Sequence, residues 1–134
     1  MIGDKLKTYP DLALLLLRVG FGLYMAIGHG WGKIMGGPEY WTKLGGTMAM
    51  FGLDFLPAFW GFMAAFSEFV ASLLVAVGLI TRPASLLVGF TMLVASLSHI
   101  MQAESPEKAA MYLIVFVAIA IYGPGKYSVD KMVG

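Results

Sequence analysis

The chain has 134 residues, no cysteine, 59% hydrophobic and 13% charged residues, a mean hydropathy of +0.80 and a formal net charge of +1. Soluble domains carry about 25% charged residues, so this composition describes one membrane-embedded domain covering residues 1–134. The near-neutral charge excludes a basic nucleic-acid surface. The absence of cysteine excludes disulfides, iron–sulfur clusters and thiol relays, so any redox role needs a cofactor or partner to carry the electrons.

The first apolar run covers residues 12–34, long enough at about 1.5 Å per residue to cross a hydrocarbon core of about 30 Å. A cleaved signal peptide is the competing reading of its basic start and leucine-rich stretch. Arg18 inside the run, its length, and the lack of a small-residue cleavage site argue against that. The second run, 59–80, follows Pro57, and the third, 83–101, follows after only Thr81 and Arg82, which predicts a tight antiparallel hairpin. The fourth run, 106–122, opens on Ser105-Pro106-Glu107, an N-cap, an N1 proline and an acid matched to the helix dipole. Gly123-Pro124-Gly125 then stops it. The fold class is therefore all-α, an antiparallel bundle of four transmembrane helices.

Between the first two spans, Trp41, Leu44, Met48 and Phe51 recur at helical spacing, which predicts a short amphipathic interfacial helix. Both a lid over a binding site and a plain membrane anchor fit that pattern. Lys5, Lys7, Arg82, Lys126 and Lys131 fall on one side of the membrane and Lys33, Lys43 and Lys108 on the other. That excess places both termini in the cytoplasm. The expected location is the plasma (inner) membrane.

Ionisable residues inside apolar spans are costly, so Arg18, Glu68 and His99 are candidate site residues. Arg18, Gly22, Met25, His29 and Lys33 share one face of the first helix, as do Gly61, Ala65, Glu68, Ser72 and Val75 on the second. Ser85, Gly89, Met92, Ser96 and His99 make the third stripe. Small and polar residues of this kind join helices in lipid, so the three faces are expected to meet in a buried polar seam. Counting turns lets Arg18 reach Glu68 as an ion pair, either as a packing device or as part of proton or ligand handling. His29 and His99 fall at similar heights, where imidazoles could clasp a metal or haem, contact a quinone-like ring, or make structural hydrogen bonds alone, as His99 could with Ser96 or Gln102. Haem is the weaker ligand beside the quinone-like ring, and no metal motif is present.

Leu16-Leu17-Arg18-Val19, Gly32-Lys33, Glu68, the hairpin Val77-Gly78-Leu79-Ile80-Thr81-Arg82-Pro83-Ala84 and the tail Gly123-Pro124-Gly125-Lys126-Tyr127-Ser128-Val129-Asp130 resemble the DoxX family of small four-helix membrane proteins. The resemblance implies a membrane protein linked to redox metabolism, whose relatives occur with thiosulfate:quinone oxidoreductases or in assemblies that handle thiol and oxidative stress. The matching positions are Arg18, Lys33, Glu68, Thr81, Arg82, Gly123, Gly125, Ser128 and Asp130, while His29 and His99 fall outside the pattern. In physical terms the tail glycines permit a helix-ending turn, and Ser128 and Asp130 can cap nearby backbone or meet Arg82.

Two functions remain open. One is a redox-associated subunit, with Arg18, His29, Lys33, Glu68, Ser96 and His99 around a quinone-like ligand and an oxidoreductase as partner. The other is a non-enzymatic scaffold or a small-solute or proton pathway. Whether the chain has catalytic activity, and whether it forms a homo-oligomer in the bilayer, stays open at this stage.

Overall fold

The computed structural model describes residues 9–134, which fold entirely as helices and turns. Lys5 and Lys7, which entered the orientation argument, lie outside the described residues. Helix α1 spans Tyr9–Ile34 and contains a π-helical turn at Ala26–Gly30. Helix α2, Gly37–Gly45, runs on into a 3₁₀ segment, Gly46–Phe51. Helix α3, Pro57–Val77, contains a second π turn at Ser67–Ala71. Then come α4 at Thr81–Met101, α5 at Glu107–Tyr122 and the short α6 at Val129–Val133. Helices α1, α3 and α4 are long and apolar enough to cross a membrane. With 16 residues, α5 extends about 24 Å.

Helix ends follow local chemistry. Gly78 takes the left-handed conformation (φ 79°), which costs glycine no Cβ clash. The Leu79 N–H returns to the Leu74 carbonyl at 2.9 Å, and the Gly78 N–H is shared between the carbonyls of Leu74 (2.8 Å) and Val75 (3.1 Å), which closes α3 as a Schellman turn. The hairpin turn is therefore Gly78–Ile80, not Thr81-Arg82, and the second span ends at Val77, three residues before the sequence boundary. Thr81 and Arg82 belong to the first turn of α4 with Pro83. Helix α5 begins one residue later than the sequence pattern implies. Ser105 Oγ accepts the Glu107 N–H at 3.3 Å.

Helices α1 and α3 meet backbone to backbone. A methyl group on Gly22 would lie 2.8 Å from the Ser72 carbonyl oxygen, and one on Gly30 would run into the backbone of Glu68 and Phe69. The two π turns thus face each other across this contact. A π turn inserts one extra residue into the helical register. The buried stripe of α1 accordingly passes from Arg18, Gly22 and Met25 to Ala26 and Gly30, instead of to His29. Helix α2 is clamped to α3 in a similar way, with Gly45 against the Pro57 carbonyl and Gly61 against that of Trp41. Trp41 Nε1 also donates to the Lys33 carbonyl at 2.8 Å. This segment is packed closely on the helices. The apolar core, including Met25, Val75, Val88, Phe116 and Ile119, fills the space between α1, α3, α4 and α5.

Gly30→Ala is expected to lower the thermal unfolding temperature in detergent, at a cost of about 1–3 kcal/mol from overpacking. Gly32→Ala, where nothing lies within 4 Å of an added methyl group, should leave it unchanged.

Candidate functional site

Lys33 Nζ lies 2.6 and 2.7 Å from the two carboxylate oxygens of Glu68. The Glu68 side chain is only 4% exposed, against 25% for Lys33. Glycine at position 30 produces this pairing. It brings α1 onto the Glu68 backbone, and Lys33 follows three residues later, one turn further along α1. Charge-assisted bonds to both oxygens satisfy a carboxylate that would otherwise be costly among apolar side chains.

The pair sits at the end of a cleft of about 550 Å³ between α3 and α4, covered by Leu44, Thr47 and Met48 from the α2 segment. Its walls are mostly apolar, and Ser98, His99, Gln102 and Glu104 gather at the other end. Ser67 and Thr91 join the two helices beside the pair through a 2.8 Å bond between their hydroxyls. Apolar clefts with a few convergent polar groups are the usual form of small-molecule sites. A second groove of about the same volume, near Tyr112 and Lys108 on α5, is separate from it.

Arg18 does not pair with Glu68. It is 1% exposed and donates to four backbone carbonyls instead: Nε to Val75 (3.1 Å), Nη1 to Pro124 (2.8 Å), and Nη2 to Ala76 (3.3 Å) and Tyr127 (2.9 Å). Val75 and Ala76 lie in the last turn of α3, where the dipole is negative and a guanidinium is favoured; the Val75 carbonyl also accepts the Gly78 N–H at 3.1 Å. The seven residues from Glu68 to Val75 amount to about 11 Å along α3, which separates this site from the carboxylate. Lys33 holds Glu68 from the other direction.

The tail completes the Arg18 end. Asp130 accepts the N–H groups of Ile80 and Thr81 at 2.7 and 2.8 Å, and its own N–H donates to the Gly78 carbonyl at 2.8 Å. Ser128 Oγ donates to the Gly125 carbonyl at 2.8 Å and accepts the Lys131 N–H, capping α6. Gly123 and Gly125 supply the positive φ angles that turn the chain back. Arg82 stays exposed and, among the described residues, reaches the Tyr122 carbonyl at 3.4 Å and neither Asp130 nor Ser128. Burial pushes the Asp130 carboxyl up. The backbone N–H bonds from Thr81 and Ile80 and the nearby Arg18 charge outweigh that and hold it below the ordinary value.

The two histidines are not brought together around one ligand. His29, turned off the seam by the π turn, packs its ring edge-on against Tyr112 at 5.6 Å and does not line the cleft. His99 lines it and approaches Glu104 at 3.0 Å through Nδ1. Ser96 is buried but bonds back to the Met92 carbonyl at 2.8 Å, outside the cleft lining. Among the described residues there is no group of three or more histidine, aspartate or glutamate side chains suited to a metal. Sequence reasoning placed Lys33 and Glu68 on the seam but missed their pairing. The usable signal was Gly30, a small residue one turn before the lysine.

Lys33→Met alone leaves a buried carboxylate without its partner and is expected to cost about 3–5 kcal/mol, most of it recovered in Lys33→Met/Glu68→Met. Chemical unfolding of the three proteins in detergent checks this. Asp130→Asn should cost about 1 kcal/mol, the scale of a lost helix cap. Because the folded value of Asp130 is lowered, its contribution is complete above the ordinary aspartate value of about 3.9 and disappears as pH falls through the lower folded value. The difference between wild type and Asp130→Asn should therefore shrink in acid, as read from unfolding midpoints across a pH series.

The family model for DoxX matches residues 13–100, a span that holds Arg18, Lys33, Glu68, Thr81 and Arg82. The chain is also similar to the inner membrane protein YqjF of Escherichia coli (strain K12), at 30% identity over 133 residues covering 95% of this chain and 96% of the relative. No solved structure matches it. The apolar helices and these two similarities agree, and the chain is an integral membrane protein that belongs to the DoxX family.

Proposed function

We propose that this protein is a redox-associated membrane subunit that binds a quinone-like ring in the cleft between α3 and α4 and works beside an oxidoreductase partner. Its frame is a single domain of four antiparallel spans, α1, α3, α4 and α5, in the inner membrane with both termini cytoplasmic. The observation that carries the reading is the cleft itself, which has a charged pair at one end, apolar walls, and a volume of about 550 Å³ suited to a small ring. Lys33 and Glu68 contact the ring's polar edge, and His99 stands at the other end. Arg18, Thr81, Ser128 and Asp130 act structurally, tying the tail to the α3–α4 turn.

A proton pathway or packing scaffold is the second reading. It draws support from the hydroxyl of Ser85, which is buried on α4 with no hydrogen-bond partner among the described residues. Such a group implies bound water.

Protein purified from its native membrane and extracted into organic solvent should release quinone in amounts comparable with the protein. Lys33→Met/Glu68→Met should release much less. Folded protein that is consistently free of quinone, together with proton flux in liposomes that disappears in Glu68→Gln, would replace the first reading with the second.

A further inference from the structure

The cleft contains a selection device, and it rests on the cleft being a ligand site as proposed above. A lysine ammonium carries three N–H donors and no acceptor. Two are directed to the two oxygens of Glu68, at 2.6 and 2.7 Å. No other protein acceptor meets Lys33 Nζ among the described residues, and Lys33 lines the cleft. One donor is therefore left for an occupant. The carboxylate beside it cancels the ammonium charge, so an incoming anion would lose its hydration and find no net positive charge. A neutral carbonyl oxygen loses much less and gains a charge-assisted bond.

The route of entry follows from the cleft walls. Phe59 and Phe90 line it, yet they are 49% and 60% exposed on the outside of α3 and α4. The cleft is thus continuous with the surface that faces acyl chains. Glu68 lies eleven residues from Pro57, about 16 Å along α3 and so roughly half-way through a core of about 30 Å. An occupant that reaches the pair needs an apolar body. We infer that the cleft selects uncharged, membrane-dissolved molecules with a carbonyl-type acceptor, which enter sideways between α3 and α4 and are read by the third N–H of Lys33, while Glu68 serves to exclude anions.

Trp60 lines the cleft and provides the reporter. The probes are a straight-chain methyl ketone and the carboxylate of equal length, each tipped with bromine to quench tryptophan. They are titrated into wild type and Trp60→Phe in detergent, and the difference isolates Trp60 from Trp31 and Trp41. The ketone should quench Trp60 saturably and bind roughly tenfold or more tightly than the carboxylate, the scale of one bond to a charged group. Lys33→Met/Glu68→Met, which leaves no lone buried charge, should bind the ketone roughly tenfold more weakly than wild type, the scale of the one charge-assisted bond it loses. Glu68→Gln should shift preference towards the carboxylate. Equal binding of the two probes in wild type, binding of neither, or unchanged ketone affinity in the double variant would overturn the inference. Selective ketone binding by a protein that yields no quinone on extraction would support the inference and retire the quinone reading.

Discussion

A carboxylate half-way along an apolar helix imposes a condition on everything near it, because it must be neutralised and hydrogen-bonded without water. Here the condition is met by Lys33, whose ammonium contacts both oxygens of Glu68. The contact exists only because α1 and α3 approach at Gly30 and Gly22, where a side chain would meet backbone. Facing π turns at that crossing set the two helical registers, and they decide which residue of α1 looks into the seam and which looks at α5. Trp41, bonded to the Lys33 carbonyl, carries the same constraint into α2. One ion pair thereby links the α1–α3 crossing, the cleft and the α2 segment that lines it.

The other end of the molecule solves a different problem with similar economy. The buried guanidinium of Arg18 donates to two carbonyls in the last turn of α3 together with two from the tail. Asp130 then receives the first N–H groups around the start of α4. A turn of three residues, Gly78–Ile80, is thus held from both sides by side chains distant in sequence. The basic and acidic residues here serve backbone groups first.

Much of the fold was legible because its signals are local. Proline, serine and glycine mark the starts of α3 and α5 and the end of α5, and apolar length marks α1, α3 and α4. Gly78 was equally visible, although its left-handed turn cut α3 shorter than hydropathy suggests. The π turns have no such signature, and a strict 3.6-residue count carried the α1 stripe onto His29 when Ala26 and Gly30 are the buried positions. That same count made Arg18 the partner of Glu68. Distances along helices were reasonable, but the choice between Arg18 and Lys33 depended on where two helices cross. The crossing is a tertiary fact, hinted at only by Gly22 and Gly30.

The account therefore rests on which cation meets the carboxylate of Glu68 inside the bilayer. Solid-state NMR can measure the dipolar coupling between isotope-labelled lysine side-chain nitrogen and glutamate carboxyl carbon in lipid, with Glu68→Gln identifying the signal. A coupling at hydrogen-bonding distance that vanishes in Glu68→Gln is the predicted result. Coupling of the Glu68 carbon to the Arg18 guanidinium instead, or to no side-chain nitrogen, would contradict it.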